Sequence, residues 1–137
     1  AMGHKHVPEM QARCGLTRAP LFAPAVVPAY RGMVVEVPLP LGAMHGSASA
    51  DVLLASLQQT YLGSPVVKVR DEHYDELLLI DGCEPHDGMD LHVFASADGS
   101  QARLVARLDN LGKGASGAAV QNLNLMAGLA ETAGLKL

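Results

Sequence analysis

Two histidines and a glutamate near the start of the chain have types and a spacing suited to proton transfer. They lie in the segment His-Lys-His-Val-Pro-Glu at residues 4–9. Imidazole titrates near neutral pH, so a histidine can take up and release a proton during a reaction. A carboxylate bonded to the other ring nitrogen would fix the tautomer and stabilise the imidazolium. Two alternatives stay open: a zinc site, for which the cysteines offer no matching ligand pair, and a solvated surface or tag remnant.

A second segment with chemistry-bearing spacing is Gly-Lys-Gly-Ala-Ser-Gly at residues 112–117, which fits G-x-G-x-x-G. It follows a predicted strand and opens a predicted helix, as in dinucleotide-binding folds. Such a unit also needs a second parallel strand and an acidic residue roughly 20 residues on. The sequence stops at Leu137, so we reject a Rossmann unit and expect a glycine-eased turn into a helix. We still expect the helix N-terminus to offer backbone N–H groups to an anion or carbonyl, with Lys113 beside it.

The composition indicates a folded domain and excludes several classes of partner. Apolar residues make up 49% of the 137 residues, charged residues 18%, and the net charge is -4. Nucleic acids and anionic membranes attract basic surfaces, so we expect neither as a partner. No apolar run approaches the roughly 20 residues of a membrane-spanning helix. The two cysteines, Cys14 and Cys83, are too few for a disulfide framework, which favours a reducing, cytoplasmic setting.

Hydrophobic periodicity and turn residues predict three helices and a sheet. The helices are expected over residues 8–14, 50–61 and 114–133, and the strands over 33–39, 66–69, 77–80, 91–96 and 102–109. Asp98-Gly99 marks a hairpin between the last two strands. The result is one α+β domain over residues 1–137, a mostly antiparallel mixed sheet with helices on one face. Because the last helix is apolar on most sides, segment 113–137 is expected to pack on an absent nucleotide-binding domain or another subunit.

The two terminal motifs resemble those of N-acetyl-γ-glutamyl-phosphate reductases. Residues 4–9 are similar to that family's H-[RK]-H-x-P-E signature. Residues 109–126, Asp-Asn-Leu-Gly-Lys-Gly-Ala-Ser-Gly-Ala-Ala-Val-Gln-Asn-Leu-Asn-Leu-Met, resemble its D-N-L-x-K-G-A-x-G-x-A-x-Q-N-x-N-L-M. Pro-Ala-Tyr-Arg-Gly-Met at 28–33 resembles its P-x-x-x-G-M. The resemblance spans nearly the whole chain, is weakest over 63–90, and implies the C-terminal domain of a glyceraldehyde-3-phosphate-dehydrogenase-like enzyme.

The resemblance implies a step of arginine biosynthesis. Such an enzyme reduces N-acetyl-γ-glutamyl phosphate to N-acetyl-glutamate semialdehyde with NADPH, through a thioester formed by a cysteine thiolate. The family's nucleophile precedes the H-x-H motif, so neither Cys14 nor Cys83 is expected to be catalytic. The chain also lacks the nucleotide-binding half, which implies that it is inactive alone and that NADP is bound mainly by a domain absent from it. We further expect a homo-oligomer formed through the sheet.

The resemblance also assigns roles to individual residues. His4 would be the acid/base and Glu9 would orient its imidazole, while His6 would hold the substrate, and the two histidines could exchange roles. Arg31 would bind the phosphate or the carboxylate of the substrate. Asn110 and the turn through Gly114 would border the nicotinamide, and no metal site is expected. The alternatives are a non-catalytic interaction module derived from this family and an aspartate-semialdehyde-dehydrogenase-like domain, against which the D-N-L-x-K-G-A segment argues.

Overall fold

A four-stranded mixed sheet organises the fold. A computed structural model describes residues 3–44, 46, 48–72, 76–77, 79 and 84–137. The strands are β1 (Met33–Pro40), β2 (Val67–Val69), β3 (Met89–Ala95) and β4 (Gln101–Leu108), in the order β1-β4-β3-β2. β4 is antiparallel to both of its neighbours, whereas β2 runs parallel to β3. The predicted α+β fold with a mostly antiparallel mixed sheet is therefore confirmed.

The predicted hairpin forms between β3 and β4 and is closed by local side-chain bonds. Gly99 has a φ of +68°, a left-handed conformation that favours glycine. Asp98 accepts hydrogen bonds from the Ser96 hydroxyl at 2.6 Å and the Ser100 N–H at 3.0 Å. These bonds favour the charged carboxylate and lower the pKa of Asp98 to about 2. These contacts all lie within residues 96–100, which explains why the local sequence is enough to predict the hairpin.

The first two helices form where the sequence predicts them. α1 covers His6–Arg13 and α2 covers Ala50–Thr60. The Ser49 hydroxyl oxygen accepts the Val52 N–H at 3.2 Å and so caps the start of α2. α2 packs against β3 and β2. None of the helices in the described part of the chain is long and apolar enough to cross a membrane.

The helix predicted over residues 114–133 is wrong in length. A π-helical turn at Gly112–Ser116 precedes α3 (Gly117–Met126), and the chain then leaves the helix. Gly128 has a φ of +69°, which ends the helical path. The buried Asn124 donates its side-chain amide to the carbonyls of Glu131 at 3.1 Å and Ala133 at 2.8 Å. The tail is therefore folded back on α3, and its packing on another domain or subunit stays a prediction.

The segment predicted as a strand over residues 77–80 is not one at its described positions. Leu77 and Leu79 lie in irregular structure, and residues 78 and 80 lie outside the described residues. The Leu79 side chain lies against Gly32, where a Cβ atom would come within 2.7 Å of Leu79 Cδ2. Gly32 also has a φ of +108°, so this bend before β1 requires glycine.

The two faces of the sheet differ in chemistry. Paired residues share a face, and one face carries only apolar side chains. On β1 they include Met33, Val35 and Val37, which are 37–48% exposed. The opposite face carries Asp90, whose carboxylate accepts from Arg70 Nε at 2.9 Å and Arg107 Nη2 at 2.8 Å. One face of the sheet is thus apolar, including the partly exposed side chains of the edge strand β1, and the other face carries an ion-pair network.

Candidate functional site

The H-x-H segment places both imidazoles at the start of α1. The backbone N–H of His6 donates to His4 Nδ1 at 3.3 Å, and the ring centroids lie 4.8 Å apart, edge to face. The Phe22 ring also packs against His4, edge to face, with centroids 5.0 Å apart. His4 is half-buried and His6 is exposed. The geometry fixes His4 by backbone and aromatic contacts and leaves His6 open to a ligand.

Glu9 is exposed in the first turn of α1 and does not complete a dyad with either histidine. Within the described ranges, no hydrogen bond or ion pair joins its carboxylate to His4 or His6. The same part of the chain holds no group of three His, Cys, Asp or Glu side chains that could bind a metal ion. Cys14, the described cysteine, is an exposed free thiol, and Cys83 lies outside the described residues. The roles of His4, His6 and Glu9 stay predictions.

A second cluster forms around Asp109, directly after β4. Arg31 Nη1 donates to Asp109 Oδ2 at 2.6 Å, and the Leu111 N–H donates to Oδ1 at 2.8 Å. The His86 N–H adds a longer bond to Oδ2 at 3.3 Å. Burial by itself would raise the pKa of Asp109, but the bonds from Leu111, His86 and Arg31 hold it below its usual value. Asp109 is therefore an ionised carboxylate that is only 4% exposed.

Outside the H-x-H segment, the structure brings together two further predicted site residues, Arg31 and Asn110. The Asn110 Oδ1 atom accepts the Gly32 N–H at 2.9 Å, next to the Arg31–Asp109 ion pair. The Arg31 guanidinium carbon lies 5.6 Å from the centre of the Tyr30 ring. Sequence reasoning missed Asp109 as a site residue, although it opens the D-N-L motif. A buried acid directly after a strand, beside a predicted ligand-binding asparagine, is the signal that could have identified it.

The glycine segment packs on its own chain and leaves no room for an anion. The N–H groups of Lys113, Gly114 and Ser116 donate to the carbonyls of His86, Asp109 and Leu111, respectively. A Cβ atom at Gly112 would lie 2.2 Å from the His86 carbonyl oxygen, and one at Gly117 would lie 2.1 Å from Asp87 Oδ1. The expectation of N–H groups open to an anion is wrong here, because Asp109 and nearby carbonyls occupy them. A nucleotide pyrophosphate does not fit this turn.

Contrary to the sequence-based expectation, Lys113 does not point its charge at a helix N-terminal anion site but binds a side chain of α3. Its ammonium donates to the Gln121 side-chain carbonyl, and the Gln121 amide donates to Glu131 Oε1 at 2.7 Å. These bonds link the π-helical turn, α3 and the folded-back tail. The preceding strand, β4, is antiparallel to both neighbours, whereas a Rossmann glycine turn joins parallel strands. G-x-G-x-x-G in this chain is a packing motif.

Comparison with known proteins connects this geometry to a family. Residues 1–110 match the family model described as "Semialdehyde dehydrogenase, dimerisation domain". N-acetyl-gamma-glutamyl-phosphate reductases of Brucella ovis, Brucella canis and Brucella abortus are each 49% identical over 128 residues. Each alignment covers 91% of this chain and 41% of the relative. The motif resemblance is confirmed, and the chain spans less than half the length of these relatives.

Proposed function

The chain belongs to the semialdehyde dehydrogenase dimerisation-domain family, and from that premise we propose that it is the substrate-binding and dimerisation part of an N-acetyl-γ-glutamyl-phosphate reductase. The observation that carries this proposal is 49% identity to such reductases over 91% of the chain. The whole protein would reduce N-acetyl-γ-glutamyl phosphate to the semialdehyde in the cytoplasm, as a step of arginine biosynthesis. The 137 residues by themselves would be inactive.

The proposed chemistry requires a nucleophile from outside this segment. A thiolate attacks the acyl phosphate, the C–O bond to phosphate breaks, and a thioester remains. His4 is proposed to take the thiol proton, because Phe22 packs against its ring and the residue is part-exposed. The proton would be taken at Nδ1, whose lone pair gives up the 3.3 Å bond from the His6 N–H. Glu9 would reach that imidazole only after a rearrangement of α1, since no contact joins them in the described residues. His6, which is exposed, is proposed to contact the substrate.

NADPH is proposed as the hydride source, with the determinants that bind this NADP cofactor outside these residues. The 112–117 turn does not fit a pyrophosphate, because its N–H groups are bound within the chain. Asn110 and Gly114 are proposed only to border the nicotinamide ring.

Pairing of two copies through the sheet is the second part of the proposal. The apolar row of Met33, Val35 and Val37 on the edge strand β1 supports it, because such a face is usually covered. The family description as a dimerisation domain supports it as well. Sedimentation equilibrium of the chain should show a dimer, and a strict monomer at high protein concentration would contradict this part. A chain that pairs but never supports turnover would favour a non-catalytic interaction module.

A chimera tests the catalytic part. The aligned part of this chain, which is 91% of it, would replace its counterpart in the Brucella ovis reductase. We expect the chimera to oxidise NADPH with N-acetyl-γ-glutamyl phosphate, while the isolated chain does not. His4→Asn should abolish most of the turnover, whereas His45→Asn, a histidine outside all of the proposed roles, serves as the control. A folded, dimeric chimera without turnover would contradict the proposal.

A further inference from the structure

We propose that Asp109 is a positioning residue that orients the Arg31 guanidinium towards an oxyanion of the substrate. This inference rests on the proposed function, in which Arg31 binds the substrate. It adds that the buried Asp109 carboxylate holds the Arg31 guanidinium in position. The oxyanion is either the phosphate or the carboxylate of the substrate. Both present oxygen pairs that a guanidinium can bind, and the experiments below separate them.

The contact between the two side chains leaves part of the guanidinium available. Arg31 Nη1 donates to Asp109 Oδ2 at 2.6 Å, and the Arg31 side chain remains 22% exposed while that of Asp109 is 2% exposed. A guanidinium has five N–H donors in one plane, so one committed nitrogen leaves donors for an anion. The Tyr30 ring lies 5.6 Å from the guanidinium carbon and restricts the plane further. Arg31 is therefore held on its protein side and open on its solvent side.

The carboxylate that holds Arg31 is itself held by the backbone. The N–H groups of Leu111 and His86 donate to its two oxygens, so the carboxylate cannot rotate without losing them. These bonds also keep the pKa of Asp109 low, so its charge persists at neutral pH. The Arg31 side chain, which is 22% exposed, thus meets a carboxylate that is already held by other segments. Residues 31, 86 and 111 each donate to the Asp109 carboxylate, which fixes it behind the guanidinium.

A second bond fixes the backbone that carries Arg31. The Asn110 side chain accepts the Gly32 N–H at 2.9 Å, so two consecutive residues after β4 hold two consecutive residues before β1. Gly32, with a φ of +108° and Leu79 against it, tolerates no side chain. The loop that presents Arg31 is thus restrained at its side chain and at its backbone. This is the arrangement that preorganised anion recognition requires.

The first test measures binding on the 137-residue chain. Inorganic phosphate and N-acetyl-glutamate are the probes, and the NMR signal of Arg31 Nε–H reports the guanidinium. We expect at least one probe to shift this signal in a saturable manner, and Asp109→Asn to broaden the signal and weaken binding about tenfold, or ~1.4 kcal/mol. Asp87→Asn is the matched control. Its carboxylate accepts the Lys136 N–H at 2.9 Å in the same region, and no bond to Arg31 is among its contacts in the described residues. No saturable shift with either probe would overturn the inference.

The second test measures kinetics in the chimera, run in the direction of acyl-phosphate formation. There the phosphate and the carboxylate are on different molecules, inorganic phosphate and N-acetyl-glutamate semialdehyde. Asp109→Glu and Arg31→Lys should each raise one of the two KM values about tenfold with a smaller change in kcat, and the double variant should add little. The KM that rises identifies the anion.

The outcomes of the kinetic test separate the two proposals. An inactive wild-type chimera contradicts the proposed function, while the binding test still decides the role of Asp109. An active chimera in which Asp109→Glu lowers only the melting temperature, as Asp87→Asn is expected to do, overturns the inference. Asp109→Glu keeps the buried charge, so it serves if Asp109→Asn does not fold.

Discussion

Replacement of Asp109 by asparagine should destabilise the chain by about 3–5 kcal/mol, the usual cost of breaking a buried charge pair at one partner. The carboxylate accepts from Arg31 at 2.6 Å, Leu111 at 2.8 Å and His86 at 3.3 Å. Asparagine can keep the Leu111 bond through its carbonyl, but its NH2 group then faces the donors of Arg31 and His86. Two charge-assisted bonds of ~1.5–3 kcal/mol each are lost, which gives about 3–6 kcal/mol and agrees with the first figure.

Urea unfolding at neutral pH measures this loss directly. A domain of this size has a total stability of about 5–15 kcal/mol, so the shift in midpoint should be large. Asp98→Asn is the control, because that carboxylate also accepts several hydrogen bonds but lies exposed at the hairpin turn. A change below about 0.5 kcal/mol for Asp109→Asn, as for ordinary surface substitutions, would refute the reasoning. So would an equal loss for the two variants.

Three further predictions concern packing, the tail and pH. Gly117→Ala should cost about 1–3 kcal/mol, because its Cβ would lie 2.1 Å from Asp87 Oδ1, while Gly114→Ala, with a nearest contact of 3.4 Å, should cost clearly less in the same thermal melts. Asn124→Ala should speed amide hydrogen exchange over 129–137, because two carbonyls lose their donor, whereas the exposed Asn122→Ala should not. Stability should fall in two acid steps in urea titrations. The first step lies below pH ~6.5 and comes from His92. Burial lowers the pKa of this histidine, and Arg107 and Arg70 lower it too, while Asp90 and Glu72 oppose them. The unfolded chain therefore binds the proton at a higher pH than the folded chain, so stability is lost as the pH falls. The second step lies below pH ~4 and comes from Asp90 and Asp109. Burial alone would raise the pKa of each carboxyl, but the hydrogen-bond partners hold both pKa values low. The two carboxylates therefore stabilise the fold above that pH, and protonation removes this stability. A flat profile down to pH ~3 would contradict both steps.

The sequence predicts those parts of the fold that local chemistry determines. Asp98-Gly99 identifies the hairpin, and the helix predicted from residue 50 begins next to its Ser49 cap, because each of these features and its effect lie within a few residues. The length of α3 could not be read in this way. Its apolar pattern continues beyond Met126, and the turn depends on Gly128 together with the carbonyls that Asn124 binds.

The candidate site also has a part that the local sequence predicts and a part that depends on distant residues. The H-x-H motif places two imidazoles together because they are neighbours in the chain, and the structure shows them in contact. The Arg31–Asp109 pair joins residues 78 positions apart, and His86 reaches Asp109 across 23. No local pattern specifies such contacts. Motif resemblance therefore named Arg31 and Asn110, but not the Asp109 carboxylate that binds Arg31. The glycine motif misled in part for the same reason, since the Lys113 N–H donates to the distant His86 carbonyl, while the N–H groups of Gly114 and Ser116 donate to carbonyls of the same turn.

The substrate choice of the chimera tests the proposed function most directly. Turnover would be compared between N-acetyl-glutamate semialdehyde and aspartate semialdehyde, each with phosphate and NADP, at matched concentrations of folded dimer. We expect a strong preference for the N-acetylated substrate, and a loss of that turnover in His4→Asn. Equal use of the two substrates, or a preference for aspartate semialdehyde, would contradict the assignment to N-acetyl-γ-glutamyl-phosphate reduction.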